Sequence, residues 1–219
     1  MAAFFSLLLA LLAPAATCAA RDYDAASDNL SNIPDRRGNY ISVSNQTVGT
    51  SSQIRLTSLN RYGNIVWDTN HTDGAMERAT SFHIDGSGAF VVAGVRVKQG
   101  INYIWLMKYS SYGQYLWESV DSMPGCTAFD IVANQSGDFW VAASCINGQS
   151  YPVRLLHYSS TGYLLWAQND NENGRNYVRN LSLDFLSRVS LTIELDHGYG
   201  NGNARTIVYD TNGTRLAAY

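Results

Sequence analysis

The phrase HYSSTGYLLWAQND at 157–170 is nearly the phrase KYSSYGQYLWESVD at 108–121. A third version, SLNRYGNIVWDTNH, stands at 58–71, and a worn one, YDTNGTRLAAY, at 209–219. Recurrence at a steady interval constrains this chain more than any other feature. It demands a row of equivalent supersecondary units, each burying its apolar surface on the next.

The interval is tight. Gly63, Gly113, Gly162 and Gly213 are 50, 49 and 51 residues apart. Four residues after each stand Trp67, Trp117, Trp166 and finally Ala217. A second landmark keeps step: PDRRGNYISV at 34–43, IDGSGAFVVA at 84–93, ANQSGDFWVA at 133–142 and LDFLSRVSLT at 183–192. Its turn residues are Asp35 with Gly38, Asp85 with Gly88, and Asn134 with Gly137. The fourth copy keeps Asp184 but has Ser187 where Gly belongs. Asp or Asn accepts hydrogen bonds from the backbone just ahead, and Gly takes the positive φ that a tight turn requires. Flanking residues alternate in period 2, as strands do. WLMKYSS and VRLLHYSS supply a third strand, and YLWESV and LLWAQN a fourth.

Each unit therefore reads as four short antiparallel strands, near 30–69, 79–120, 127–168 and 178–218. Polar connectors at 70–78, 121–126 and 169–177 join them. Four strands per 40–50 residues predict an all-β chain of β-propeller blades. The Trp of each unit is expected to pack between neighbouring blades. ATSFHIDGSGAFVVAG followed by YIWLMKYSSYGQYLW resembles the bacterial-type, seven-bladed β-propeller repeat. Units 79–120 and 127–168 match that pattern best, and 30–69 and 178–218 are degenerate. The resemblance implies a surface or extracellular scaffold and supplies no catalytic residues. Four blades close on themselves or form half of a larger ring. An open arc is expected to expose two apolar blade faces, which would drive homodimerisation through the end blades.

The N-terminal stretch Phe4–Leu12 is apolar, of signal-peptide length, and followed by small residues up to Ala20. That pattern predicts a signal peptide over 1–20, a polar segment over 21–29, a propeller over 30–219, and a secreted product. A lipoprotein anchor at Cys18 is the rival, but AAT before it lacks the usual Leu. Asn-x-Ser/Thr sites at Asn29, Asn45, Asn70, Asn134, Asn180 and Asn212 are candidate glycosylation sites. With Cys18 removed, two cysteines remain. Cys126 and Cys145 flank the Asn134–Gly137 turn symmetrically, which places them opposite each other across two strands. Glu77 and Arg96 fill the same slot one blade earlier with opposite charges. In a secreted chain the cysteines are expected to form a disulfide; the alternative is two reduced thiols.

Little else suggests chemistry. Net charge is −3 with charged residues at 15%, and no basic run points to nucleic acid or a polybasic membrane contact. No second stretch is long enough to span a membrane. NDNENG at 169–174 lacks the first Asp and twelfth Glu of a calcium loop. HGYGNGN at 197–203 follows no phosphate-binding pattern. His71, His83, His157 and His197 show no metal-ligand spacing, and His157 takes the slot of Lys108, a solvated strand position by that reading. No cofactor or metal is expected. Aromatics at 12%, with Tyr109 and Tyr158 in one slot, serve blade packing or line a ligand-binding face. The sequence thus favours a secreted, non-catalytic module gripping a protein or glycan through loops on one propeller face. The rivals are a glycan-acting enzyme with carboxylates converging on the axis, and a self-assembling scaffold left from a larger propeller.

Overall fold

The computed structural model describes residues 30, 32–48, 51–72, 76–146, 151–170, 175–196 and 203–219. The expected signal peptide and polar segment lie outside them, as do Cys18, Asn29, His197 and most of both polar stretches. Blade 1 comprises β1 (Ile33–Pro34), β2 (Tyr40–Val48), β3 (Ser51–Leu59) and β4 (Ile65–His71). Blade 2 comprises β5 (Met76–Ile84), β6 (Phe90–Lys98), β7 (Ile101–Tyr109) and β8 (Tyr115–Pro124). Blade 3 comprises β9 (Cys126–Ala133), β10 (Phe139–Cys145), β11 (Val153–Tyr158) and β12 (Leu164–Asp170). Blade 4 comprises β13 (Arg175–Leu183), β14 (Val189–Asp196), β15 (Asn203–Tyr209) and β16 (Arg215–Ala218). Each is a four-stranded antiparallel meander, and together they are the blades of a β-propeller. The connector expected at 121–126 is mostly strand: β8 runs to Pro124, and only Gly125 separates it from β9.

One turn design serves every hairpin made from the two landmarks. In the first landmark, the Asp35 carboxylate accepts from the backbone N–H of Arg37 and Asn39. The Asp184 carboxylate does the same for Leu186 and Arg188. In the second, Asn60, Ser110 and Asp210 play that part, while Ser159 accepts from the Tyr163 N–H alone and its hydroxyl meets that of Thr161. The glycine three residues later takes a positive φ in seven of the eight turns. Ser187 holds the eighth at φ 58°, a left-handed conformation that costs a non-glycine residue about 1 kcal/mol or more.

Two irregularities set the strand register. Beyond each Gly–Trp turn the outer strand carries one extra residue, so Lys108 faces Trp117 while Tyr109 faces Tyr115. The extra residues, Val66, Leu116, Leu165 and Leu216, are exposed on edge strands, which such bulges twist and shield from further pairing. Bulges also interrupt the innermost strands β5, β9 and β13. Cys126 nevertheless faces Cys145, and the two form a disulfide. Closing a loop of this length contributes about 3 kcal/mol by the chain-entropy model. The same slot holds Glu77 opposite Arg96, which ion-pair, and Arg175 opposite Asp196.

Three apolar clusters lie between successive blades. Ile41, Ile54 and Leu56 of blade 1 meet Phe82, Trp105 and Met107 of blade 2. Ile104 and Leu106 meet Phe139 and Leu156 across the next junction. Trp140 and Leu155 meet Leu191 and Ile207 across the last. The outward faces of blades 1 and 4 are polar. In β2 buried Ile41 and Val43 alternate with partly exposed Ser42 and Ser44. In β14 buried Leu191 and Ile193 alternate with Thr192 and Glu194. The apolar end faces expected of an open arc are therefore corrected. These faces carry the Arg55–Asp68 and Arg179–Glu194 ion pairs instead.

The tryptophans latch each blade onto the next. A Cβ on Gly113 would lie 2.7 Å from the Trp67 ring. The corresponding approaches are 3.2 Å for Gly162 to Trp117 and 2.9 Å for Gly213 to Trp166. Trp67 stacks on Phe90, which stacks on Tyr109. Trp117, Phe139 and Tyr158 repeat that stack one blade on.

Candidate functional site

The first-landmark turns of all four blades meet at one end of the propeller. They line a cavity of about 710 Å³, which lies in the usual range for ligand sites. Blade 1 supplies Pro34 and Arg36, blade 2 His83 and Asp85, blade 3 Asn134 and Gln135, and blade 4 Asp184 and Phe185. The innermost strands bring them there. β5 lies against β9, and β9 against β13. The buried Asp130 carboxylate ties these three together, accepting from Ser81 Oγ, the Ile131 N–H and the Leu181 N–H. Burial pushes this carboxyl up, against the pull of those hydrogen bonds.

Position 86 explains itself only here. A Cβ on Gly86 would sit 2.2 Å from the Gln135 carbonyl oxygen, so the turns of blades 2 and 3 touch backbone to backbone. The equivalent residue in blade 4 is Phe185, 91% exposed, with exposed Leu186 beside it. A large bare aromatic on a rigid turn at a cavity mouth is the kind of exposure that marks a contact surface. Sequence reading noted the altered fourth turn through Ser187 but missed Phe185. The signal was present: FL stands where the other copies have RR, GS and QS.

The axial carboxylates are already engaged. Asp85 Oδ2 lies 3.1 Å from Lys108 Nζ, and Lys108 also donates to the Ser160 carbonyl. Asp184 binds Arg188 and its own turn; desolvation is the largest single influence and pushes its carboxyl up, but the hydrogen bonds from Arg188 and Leu186, with the Arg188 charge, together hold it below the usual carboxylate range. Burial pushes His83 down against the charge of Asp85, so it lines the cavity as neutral imidazole at pH 7.

Other sequence candidates fall elsewhere. His157 is buried rather than solvated, stacked on Trp140 at 4.1 Å, and Lys108 in the equivalent slot is buried as well. Tyr109 and Tyr158 are core residues, whereas Tyr112 is exposed beneath the Arg37 guanidinium. Asn45 is locked between blades 1 and 2, its amide accepting from the Ala79 N–H and donating to the Ala79 carbonyl. Asn70 and Asn212 are exposed, and Asn134 and Asn180 half-buried.

No family model matches the chain, and no curated protein does. Among solved structures, a eukaryotic initiation factor shares 5% identity over 88% of this chain and 55% of its own, with TM-score 0.43. A Synechocystis apocarotenoid oxygenase mutant shares 11% over 80% and 45%, with TM-score 0.46. The calcium-binding protein regucalcin from Agrobacterium tumefaciens shares 14% over 87% and 73%, with TM-score 0.32. The chain spans about half the length of the first two. These likenesses carry no information on ligand or activity.

Proposed function

We propose that this chain is a secreted, non-catalytic binding module that grips a protein or glycan ligand at the mouth of the axial cavity. The observation that carries the reading is Phe185, bare at the rim of a cavity lined by turns from all four blades. An apolar ring beside amide and guanidinium groups suits a sugar face with its hydroxyls, or a peptide side chain with its backbone. The rim groups sit on short turns capped by their own side chains, so little order has to be gained on binding. Secretion is supported by the apolar N-terminal stretch and by the disulfide, which persists in oxidising compartments. No helix among the described residues is long and apolar enough to cross a membrane.

Binding is favoured over glycan hydrolysis because Asp85 and Asp184 are committed to turn capping and ion pairs. A retaining or inverting pair needs one carboxyl held protonated, and Asp184 is displaced the opposite way. The test is an oligosaccharide array and an extracellular-protein panel probed with wild type and with Phe185→Ala. Ligands retained by wild type and lost by the variant support the reading. Ligands held equally by both, or glycans cleaved during incubation, overturn it.

A further inference from the structure

We propose that the junction of blades 1 and 2 holds a divalent transition-metal site ligated by His71, Glu77 and Glu118. This site lies apart from the axial mouth and does not depend on how that mouth is read. His71 ends β4, Glu77 is the second residue of β5, and Glu118 stands on β8, one residue past the Trp117 latch. Their ligand atoms lie within 4.8 Å of one another. His71 Nε2 is 3.2 Å from Glu77 Oε2 and 3.8 Å from Glu118 Oε2. Metal–nitrogen and metal–oxygen bonds of about 2.1 Å place ligand atoms at such separations.

The ring is held for this task. His71 Nδ1 lies 3.3 Å from the Tyr109 hydroxyl, and the ring packs on Trp105 at 5.2 Å and Tyr115 at 6.2 Å. With the imidazole proton on Nδ1 donating to the Tyr109 oxygen, Nε2 presents its lone pair to the two carboxylates. Such a second partner is what fixes the tautomer of a metal-bound histidine. Nε2 itself is buried and makes no hydrogen bond among the described residues. A buried nitrogen beside two carboxylate oxygens calls for a proton or a metal ion between them.

The charges point the same way. Arg96 pairs with both Glu77 and Glu118, and the Glu77 side chain is only 3% exposed. One guanidinium faces two carboxylates, so the cluster has acceptor oxygens to offer a further cation. Arg96 takes Glu77 Oε1, which leaves Oε2 facing His71. Hydrogen-bonded carboxylates of this kind are the usual outer support of metal ligands. One nitrogen and two oxygens suit zinc or manganese, with water completing the shell. Glu118 is 31% exposed, which gives the ion a route in. The ligands come from two blades, so no short sequence spacing could announce them.

The experiment titrates Zn²⁺ and Mn²⁺ into chelator-treated full-length protein, read by calorimetry, thermal melting and histidine ¹⁵N chemical shifts. One equivalent should bind per chain, raise Tm and shift the His71 Nε2 resonance. Glu118→Gln and His71→Gln should each weaken binding at least tenfold, while His83→Gln binds as wild type. Glu118→Gln alters a partly exposed residue, so it stays informative should His71→Gln misfold. A His71 ring carrying protons on both nitrogens with no metal uptake overturns the site, as does wild-type affinity in both ligand variants.

Discussion

The junction between blades 2 and 3 and the outer face of blade 1 use the same phrase to different ends. At the junction Trp117 lies against Gly162, and Phe139 and Tyr158 behind it are buried. On blade 1 a Cβ at Gly63 would meet nothing within 4 Å, and Tyr40, the counterpart of Phe139, is 44% exposed. The glycine turn has the same positive φ in both places. The turn is thus an autonomous piece of backbone chemistry, whereas the tryptophan that follows it works on the neighbouring blade. Blade 4 ends the series with Ala217 in the tryptophan slot. The strands agree: every residue from Phe90 to Val95 is buried, whereas β2 and β14 alternate buried apolar with partly exposed polar residues. A middle blade is apolar on both faces because it has two neighbours, and an end blade on one.

The largest effect that would break this contrast is removal of a latch. Trp117→Ala deletes the top of the Trp117–Phe139–Tyr158 stack and uncovers Gly162. The expected loss is about 3 kcal/mol, the low end for a large aromatic because Trp117 is half-buried. Ala217→Trp, at the end of the series, should change stability by less than about 0.5 kcal/mol, as surface substitutions do. Urea unfolding of both variants checks the pair. Equal losses would mean that the tryptophan stabilises its own blade.

A second comparison is sharper because it holds the backbone constant. Gly63→Ala and Gly113→Ala both place a side chain at positive φ, near +82° and +75°, at about 1 kcal/mol. Only the second also drives a methyl group into a ring 2.7 Å away. Such overpacking adds about 1–3 kcal/mol. Gly113→Ala should therefore be the worse of the two by at least about 1 kcal/mol in denaturant titration. The contrast fails if the two midpoints coincide.

How much of this was legible in the sequence depends on the length scale. The eight turns were largely visible, because Asp, Asn or Ser with Gly three residues on is a local chemical requirement. The disulfide was visible through a cancellation. Tight-turn arithmetic puts Cys126 opposite Cys145, yet near the turn the register runs one residue off, with Phe139 facing Ala133. The β9 bulge between the pairs Asp130–Ala142 and Ala128–Ala143 restores it. Neither offset shows in the residues: at the equivalent bulge of β5, the Thr80 hydroxyl reaches the Ala128 carbonyl of blade 3 as well as Ala93 of its own blade, a contact no local pattern announces. The candidate sites were the least legible. Gly86, Phe185 and the His71 cluster acquire meaning only from residues on another blade. His157 was misread because its slot holds Lys108 in blade 2, and a lysine suggests solvent. That lysine is itself buried against Asp85.

His157 also yields an expected effect that separates middle from end blades by titration. Its ring lies between Trp140 and Trp166, and burial holds it below the ordinary histidine range, with the charge of Asp138 opposing. The folded state therefore binds fewer protons than the unfolded chain once the pH falls below about 6.5. Its contribution is complete above that pH and is lost as the pH drops toward the depressed folded value, at no more than about 1.4 kcal/mol per unit. His83 behaves alike for the same reason. His157→Phe keeps an aromatic ring against Trp140 and removes the titration, so its unfolding free energy should fall less steeply between pH 7 and pH 5 than that of wild type, with His83 still contributing and the raised Asp130 carboxyl opposing in both proteins. The blade 1 counterpart is Ser58, which has no charge to gain, so Ser58→Ala should leave the wild-type slope unchanged. Parallel slopes for wild type and His157→Phe would mean that water reaches the imidazole, and that the junction of blades 3 and 4 is as open as the bare face of blade 1.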